Sequence, residues 1–367
     1  MTCRTGCRRL ADSGVAMIHA PRADESQLTL TAVVERAEHS HANREVVTRR
    51  PNGTVDRTTL GECAIRSRRL AGALAGLGIA DRDAVATLLW NQAEHLELHF
   101  AVPAMGAVLL ALDPRRPTEE LVRMVADARA RIIVVDDSLL GVLAAFAHRH
   151  TFEQVIVVGN DWPIPPEMLD YQALIGAAAP IEWPRIDEKQ PAAMYYTSDG
   201  APEPVRTVHS HRALVLRALA VALPDELGVS ARDTLLPVLP LFRVEALGLP
   251  YAAALIGARL ILPGLRRDPV GMLNLIAGES VTVTVGDLDA WLAVLAALNG
   301  VPRRWDLSRL DRLIVGGVAV ARSVFTGFER HGVRMAQAWS MTAPMVASST
   351  VPTVASSTVP TVASSDA

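Results

Sequence analysis

The sequence predicts an α/β fold of parallel sheets flanked by helices, and three observations carry that expectation. Between residues 26 and 345, short apolar runs alternate with amphipathic ones, the order in which strands and crossover helices build a parallel sheet covered on both faces. Half of the 367 residues are hydrophobic while only 4% are aromatic, so the cores must be built from Ala, Val and Leu, as suits doubly buried strands. No apolar run is long enough for a membrane span. Phe100 to Leu112 and Leu247 to Ala258 stop at Asp113 and Arg259 and read as core.

Residues 1–25 are polar, Arg-rich and aperiodic and read as a flexible head, within which Met17 is an alternative start. From Gln27 the pattern turns helical, with Leu28, Leu30, Val33, Val34 and Ala37 as one stripe. Glu45 to Thr48 reads as a strand. Pro51-Asn52-Gly53-Thr54 reads as a hairpin turn of the Asn-Gly type, and Leu60 to Leu77 as a helix stopped by Gly78. Strands follow at Ala84–Leu89, Val108–Leu112, Ile132–Asp136 and Gln154–Val158. Helices lie between them at His95–Ala104, Thr118–Ala128 and on to Ala147. Thr118 is expected to cap its helix, with Glu119 and Glu120 in the first turn. Pro180 to Gln190 reads as a linker and Ala213 to Leu223 as a helix. Asp233 to Val244 reads as a strand leaving the core through Pro240, and Val281 to Val285 as an alternating strand. Helix Leu288–Leu298, strand Leu310–Val315 and helix Arg322–His331 complete the pattern.

Charge and cysteine content exclude several classes of function. A net charge of −3 and a pI near 6.4 give no basic footprint for nucleic acid. Cys3, Cys7 and Cys63 have no ligand cluster around them, so neither a zinc site nor a disulfide framework is expected. The first thirty residues lack an apolar segment of signal-peptide type, which makes the cytoplasm the default location. Lys189 is the only lysine among 36 basic residues, so any chemistry that needs a compact ammonium has a single candidate.

The most informative stretch runs from Tyr195 to Arg212. Thr197 and Ser198 lie between an apolar entry and a helix, where hydroxyls and backbone donors can wrap phosphate oxygens. Alone, such a pair is more often a loop cap than a phosphate ligand. One Gly, two prolines without N–H groups, two acids and no lysine suit phosphate poorly. Tyr196-Thr197-Ser198, Pro204 and Ser210-His211-Arg212 resemble, in register, the phosphate loop of the AMP-forming acyl-CoA synthetases, the adenylate-forming enzymes. Asp199, Pro202, Val205 and Arg206 stand where that family has Gly, Gly, Lys and Gly. The resemblance extends back to Leu28 and is carried by Arg68 to Leu74, Val85 to Asn91 and Asp113-Pro114-Arg115, pieces that signal fold rather than chemistry. It is similar to the opening of medium- and long-chain fatty acyl-CoA ligases. Pro240-Leu241-Phe242-Arg243-Val244 matches the family's Pro-x-Phe-His-Val, with Arg243 at the His. Gly316-Gly317 matches the turn against the adenine, and Gln337 to Thr342 the Gln-Ala-aromatic-Gly-Met-Thr-Glu motif, with Ser340 at the Gly and Ala343 at the Glu. Without that order, Gly316-Gly317 would be a strand-end turn, Trp339 core, and His209 and His211 helix-start residues.

The resemblance implies the large N-terminal domain of adenylate-forming enzymes over residues 26–345, incomplete and without the small C-terminal domain. It implies ATP or AMP contacts at Thr197, Ser198, Gly316, Gly317, Ala338, Trp339 and Thr342. Phe242 and Arg243 would meet the fatty carboxylate, with coenzyme A the second substrate and magnesium the ion. No residue is assigned a catalytic or metal-ligating role. The reaction implied joins ATP, fatty acid and coenzyme A to give acyl-CoA, AMP and diphosphate. Its charge stabilisation comes in the family from a loop Lys, a Glu and a C-terminal Lys, and here those positions are Val205, Ala343 and absent. With each such partner worth roughly 10²–10³ in rate, impaired catalysis is expected, the alternative being a non-catalytic binding or interaction role. Residues 346–367 repeat Val-Ala-Ser-Ser-Thr-Val-Pro-Thr, too polar to form a core and expected to be disordered. An uncovered sheet edge, and with it self-association, is expected of the incomplete domain.

Overall fold

A computed structural model describes residues 26–159, 162–197, 205–224, 226–246, 248–265, 268–301, 303–316 and 320–338. It begins with α1 (Leu30–His39), capped by Thr29, whose hydroxyl accepts the Ala32 N–H. The strands β1 (Glu45–Arg49) and β2 (Val55–Thr59) then form an antiparallel hairpin. Its turn is not the two-residue Asn-Gly type. The Gly53 N–H bonds Arg50 O, the Arg50 N–H bonds Thr54 O, and only Gly53, at φ +90°, is left-handed, which makes a three-residue loop with Gly at the bulge position. Next, α2 (Leu60–Gly76) starts on a capping box. The Glu62 N–H donates to Thr59 Oγ1 at 3.1 Å and the Thr59 N–H to Glu62 Oε2 at 3.0 Å, worth about 1 kcal/mol.

The alternating part follows as β3 (Ala84–Leu88), α3 (Ala93–Ala104), β4 (Val108–Ala111), α4 (Thr118–Ala128), β5 (Ile132–Asp136), α5 (Leu140–Ala147) and β6 (Gln154–Val158). Thr118 is the first helical residue of α4 rather than its cap. Pro117 holds the cap position without a side-chain bond, its fixed φ and missing N–H suiting a helix start. A short β7 (Leu169–Asp170) and α6 (Tyr171–Ala177) lead to the linker, which is pinned rather than loose. The Ile181 N–H bonds Arg68 O, Arg68 stacks on Trp183 at 5.0 Å, and Glu188 accepts from the Leu28 N–H at 2.9 Å and from Arg212 at 2.8 Å. Then come β8 (Pro191–Thr197), β9 (Val205–Ser210), α7 (His211–Ala222), β10 (Thr234–Pro237), α8 (Leu249–Ile256), β11 (Arg259–Leu262), α9 (Pro269–Gly278), β12 (Val283–Gly286), α10 (Leu288–Gly300), β13 (Arg312–Gly316), α11 (Arg322–Glu329) and β14 (Met335–Ala338).

These strands make two seven-stranded sheets, ordered β14-β13-β12-β10-β11-β1-β2 and β7-β6-β5-β3-β4-β8-β9. All pairs are parallel except β1–β2 and β8–β9 at the two margins. Three apolar cores fill the layers. One lies between the sheets around α1, α2, α3, α7 and α8; a second joins the first sheet to α9, α10 and α11; the third joins the second sheet to α4 and α5. The result is a helix–sheet–helix–sheet–helix stack. Strand β12 is buried on both faces, not alternating, because helices cover both sides of its sheet.

Helix α3, the innermost, is buried along its entire length and still carries Glu94, His95, Glu97 and His99. Glu97 receives Arg66 Nε from α2 at 2.6 Å and the Tyr171 hydroxyl from α6 at 2.8 Å. His95 is held between Thr87 Oγ1 at 3.2 Å and Trp90 O at 3.1 Å, and His99 Nδ1 lies 3.2 Å from the Tyr251 hydroxyl. Polar groups on this helix thus tie α2, α6, α8 and β3 to it.

Candidate functional site

Strand ends of the two sheets meet on their carboxyl side, and such ends are where open α/β sheets hold ligands. Asn91, just past β3, reaches the carbonyls of Pro237, the last residue of β10, and of Leu239 beyond it, at 3.0 and 2.9 Å. Within the second sheet, Arg116, past β4, donates to Tyr196 O near the end of β8 at 3.0 Å.

The sequence-predicted residues sit along this edge where they can be placed. Thr197 is the last residue of β8 and pairs with Val205, the first of β9. The hairpin is anchored behind it: the Tyr196 hydroxyl donates to Asp127 at 2.6 Å and Arg206 pairs with the same carboxylate at 3.2 Å. Val205, at the position where the resemblance asks for lysine, is 53% exposed. The neighbouring Arg206 is thereby engaged with α4. Gly316 ends β13 and Ala338 ends β14, and the two are register partners. Their backbones lie side by side, a two-residue ledge at the ends of the strands. Phe242 is buried, and Arg243 is half-buried on the segment leaving β10. Ser198, Gly317, Trp339 and Thr342 lie outside the described residues.

Three site residues were not legible as such in the sequence. Trp90 and Arg115 close on Phe242 from two sides, the indole at 6.4 Å in a T-shaped contact and the guanidinium 5.4 Å from the ring centre. Asp113 holds Arg115 through Nε at 2.8 Å and Nη2 at 2.7 Å. Burial raises the Asp113 carboxyl, but the bonds and charge of Arg115 outweigh it and hold it below its ordinary range. The third is Asn91. The signal was the position of each just beyond a buried strand, where a polar residue in an apolar neighbourhood needs partners.

The histidines of the loop's exit serve the scaffold. Ser210 caps α7 by accepting the Ala213 N–H at 3.3 Å, and His211 Nδ1 accepts the Leu30 N–H at 3.1 Å. Burial brings His211 down to about 4; burial and then the charge of Arg217 do the same for His209. Both are neutral at pH 7. Tyr195, fully buried beside His209 at 6.0 Å, has no partner for its hydroxyl among the described residues.

Gly316 and Ala338 stand where the resemblance places the adenine. The position the resemblance gives to a magnesium-assisting carboxylate is Ala343, whose side chain has no oxygen to offer. Among the described residues no group of three or more His, Cys, Asp or Glu could hold a metal ion.

Comparisons with known proteins bear on the family and the fold. A family model described as AMP-binding enzyme matches residues 34–364. The chain is 40% identical over 328 residues to a long-chain-fatty-acid–CoA ligase of Thermus thermophilus, covering 89% of this chain and 60% of that protein. It is 35% identical to a medium-chain-fatty-acid–CoA ligase of Ectopseudomonas oleovorans, covering 86% and 59%. It therefore spans about three fifths of the length of these curated relatives. Among solved structures, an anthranilate CoA ligase in complex with anthranoyl-AMP superposes with a TM-score of 0.77 at 20% identity, over 87% of this chain and 61% of that one. A long-chain-fatty-acid-CoA ligase from Archaeoglobus fulgidus gives 0.77 at 18% identity, over 86% and 64%. At such identities the structures establish a shared fold.

Proposed function

The chain belongs to the AMP-binding enzyme family, and from that premise we propose that it binds an acyl-adenylate, or its AMP half, in the crevice between its sheets while catalysing fatty-acid–CoA ligation weakly or not at all. The observation that carries the reading is the common carboxyl edge, with Gly316 and Ala338 in register on one side and Phe242 braced by Trp90 and Arg115 on the other. The nucleotide would lie at the glycine ledge. The carboxylate would lie near Phe242, where Arg243 can supply a permanent charge but not the titrating group that a His would be. A bound ATP would bring diphosphate as its leaving group. This chain offers it Val205 and Ala343 where charge stabilisation is needed. That imbalance favours binding over turnover.

Calorimetric titration with AMP and with a non-hydrolysable fatty-acyl-adenylate analogue is expected to give saturable heats. Diphosphate release from ATP, magnesium and a panel of medium- and long-chain fatty acids should stay at the no-protein background. Turnover that Thr342→Ala abolishes overturns the impaired reading; no heat with either ligand overturns the binding one.

A second reading, self-association, is favoured by the margin of the second sheet. Its outer strand β9 exposes Val205 and Val208, and α7 behind it exposes Leu219 and Leu223, an unpaired edge with apolar side chains beside it. Sedimentation at rising concentration should show association that weakens in Val208→Lys. A monodisperse monomer throughout rules it out.

A further inference from the structure

We infer that Asn91 is the positioning residue of the acyl-carboxylate pocket, an inference that rests on the reading of the crevice given above. Its side chain is 3% exposed, and all of it is used. Nδ2 donates to Pro237 O at 3.0 Å and Leu239 O at 2.9 Å, and Oδ1 accepts the Leu241 N–H at 2.8 Å. Its own carbonyl accepts the Gly264 N–H at 2.9 Å. These four bonds join the carboxyl end of β3 in one sheet to the segments following β10 and β11 in the other.

The segment it holds is the one that needs holding. Residues 238–243 run from β10 past Pro240 to Phe242 and Arg243 without strand or helix of their own. Without Asn91, the Leu239 carbonyl and the Leu241 N–H in this segment would lose these partners. The Val238 and Leu239 N–H groups bond Val285 O at 2.8 and 3.1 Å at the start of the segment, and the Arg243 N–H on Pro240 O at 2.9 Å and the contacts of the Phe242 ring with Trp90 and Arg115 add support beyond Leu241. Trp90 is the residue preceding Asn91. One dipeptide therefore fixes both the backbone of the segment, through the amide, and the ring it presents, through the indole. Gly264 completes the joint. It sits at φ +66°, and a Cβ there would lie 2.2 Å from Arg49 O, so only glycine allows its backbone to meet Asn91 so closely.

An amide is required for this arrangement. Aspartate would keep the acceptor for Leu241 and set a charge against two carbonyl oxygens; alanine would leave all three groups unpaired. Because the bonds end on the carboxylate side of the crevice and not on the Gly316–Ala338 ledge, the effect should divide between the two halves of the ligand.

The test uses the full chain and the variants Asn91→Asp and Asn91→Ala. Hydrogen exchange in the peptide spanning 238–243 is expected to quicken by about tenfold or more in both, while peptides from β12 and β13 keep their protection. The Kd for a fatty-acyl-adenylate analogue should rise by about tenfold, with the Kd for AMP unchanged. Equal loss of both ligands, unchanged exchange at 238–243, or quickened exchange in β12 and β13 to the same degree overturns the inference and leaves Asn91 a general packing residue. If the unaltered chain takes up neither ligand, the binding reading falls by itself, and the exchange comparison still decides whether Asn91 fixes the segment.

Discussion

Lowering the pH from 7 to 5.5 is expected to lower the melting temperature of this protein by several degrees. His95, His209 and His211 are each brought from an ordinary value of 6.5 to about 4, with burial the first cause. In the unfolded chain they take up protons near 6.5, and in the folded chain only near 4. Between those values the unfolded state binds more protons, so stability falls as the pH falls. Integrated to pH 5.5, each histidine removes about 1 kcal/mol. Glu97 works in the opposite sense. Burial raises it to about 7 against the pull of Arg66, so from 7 down to 4.5 the folded state holds the extra proton and gains stability as the pH falls, by about 1.5 kcal/mol at pH 5.5. His99, fully buried on α3, is lowered as well, by burial and then by the charge of His95, and adds to the loss; without it the net loss is already about 2 kcal/mol, the histidines winning by number. Melting curves at pH 5.5, 6, 6.5 and 7 check this, and Glu97→Gln should steepen the acid loss because it removes the offset. A flat profile, or a Glu97→Gln profile parallel to that of the parent chain, contradicts it.

Most of the fold was legible in the sequence for a physical reason. Ile132 to Asp136 and Gln154 to Val158 are short, β-rich apolar runs bounded by breakers, and the strands have those bounds. What escaped was structure whose pattern local periodicity does not encode. β11 and α9 lie in an apolar stretch where strand and helix look alike. β9 is a strand because β8 pairs with it antiparallel, and its own residues Arg206, Thr207 and His209 signal little. That the strands divide into two sheets is likewise a matter of pairing partners far apart in sequence, such as Val46 with Leu260. Hydrophobic alternation is silent about such partners.

The candidate site divides in the same way. Gly316 and Ala338 were identified by motif, and they are register partners at the ends of β13 and β14. Trp90, Asn91 and Arg115 were legible only as marks of family, because their roles depend on Phe242 and Leu241 arriving from the other sheet some 150 residues away. A side chain whose partners come from another lobe leaves no local spacing to read. Polar residues at the ends of buried strands are the nearest available signal, and here they were informative.

Arg66→Ala is expected to be the most destabilising single exchange away from the crevice, and its cost should depend on pH. Glu97 is 2% exposed and takes Arg66 Nε on one oxygen and the Tyr171 hydroxyl on the other. Arg66 also reaches Gln172 Oε1 at 2.8 Å, so a single guanidinium connects α2, α3 and α6. Removing it strands a carboxylate in the core, a loss of about 3–5 kcal/mol at pH 8. Loss of the arginine also takes away the main influence that lowers Glu97, so in the variant the carboxyl should carry its proton at still higher pH. A neutral acid is far easier to bury than a carboxylate. At pH 6 the gap between variant and parent should therefore shrink, although the parent itself is losing stability to its histidines. The double exchange Arg66→Met with Glu97→Leu should recover most of what Arg66→Ala loses, since it leaves no charge unpaired and keeps the volume filled. Urea denaturation of the three variants at pH 6 and pH 8 measures each term. An Arg66→Ala loss under about 1 kcal/mol, or one equal at both pH values, would mean that Glu97 is neutral in the parent and that the helices are held by packing alone.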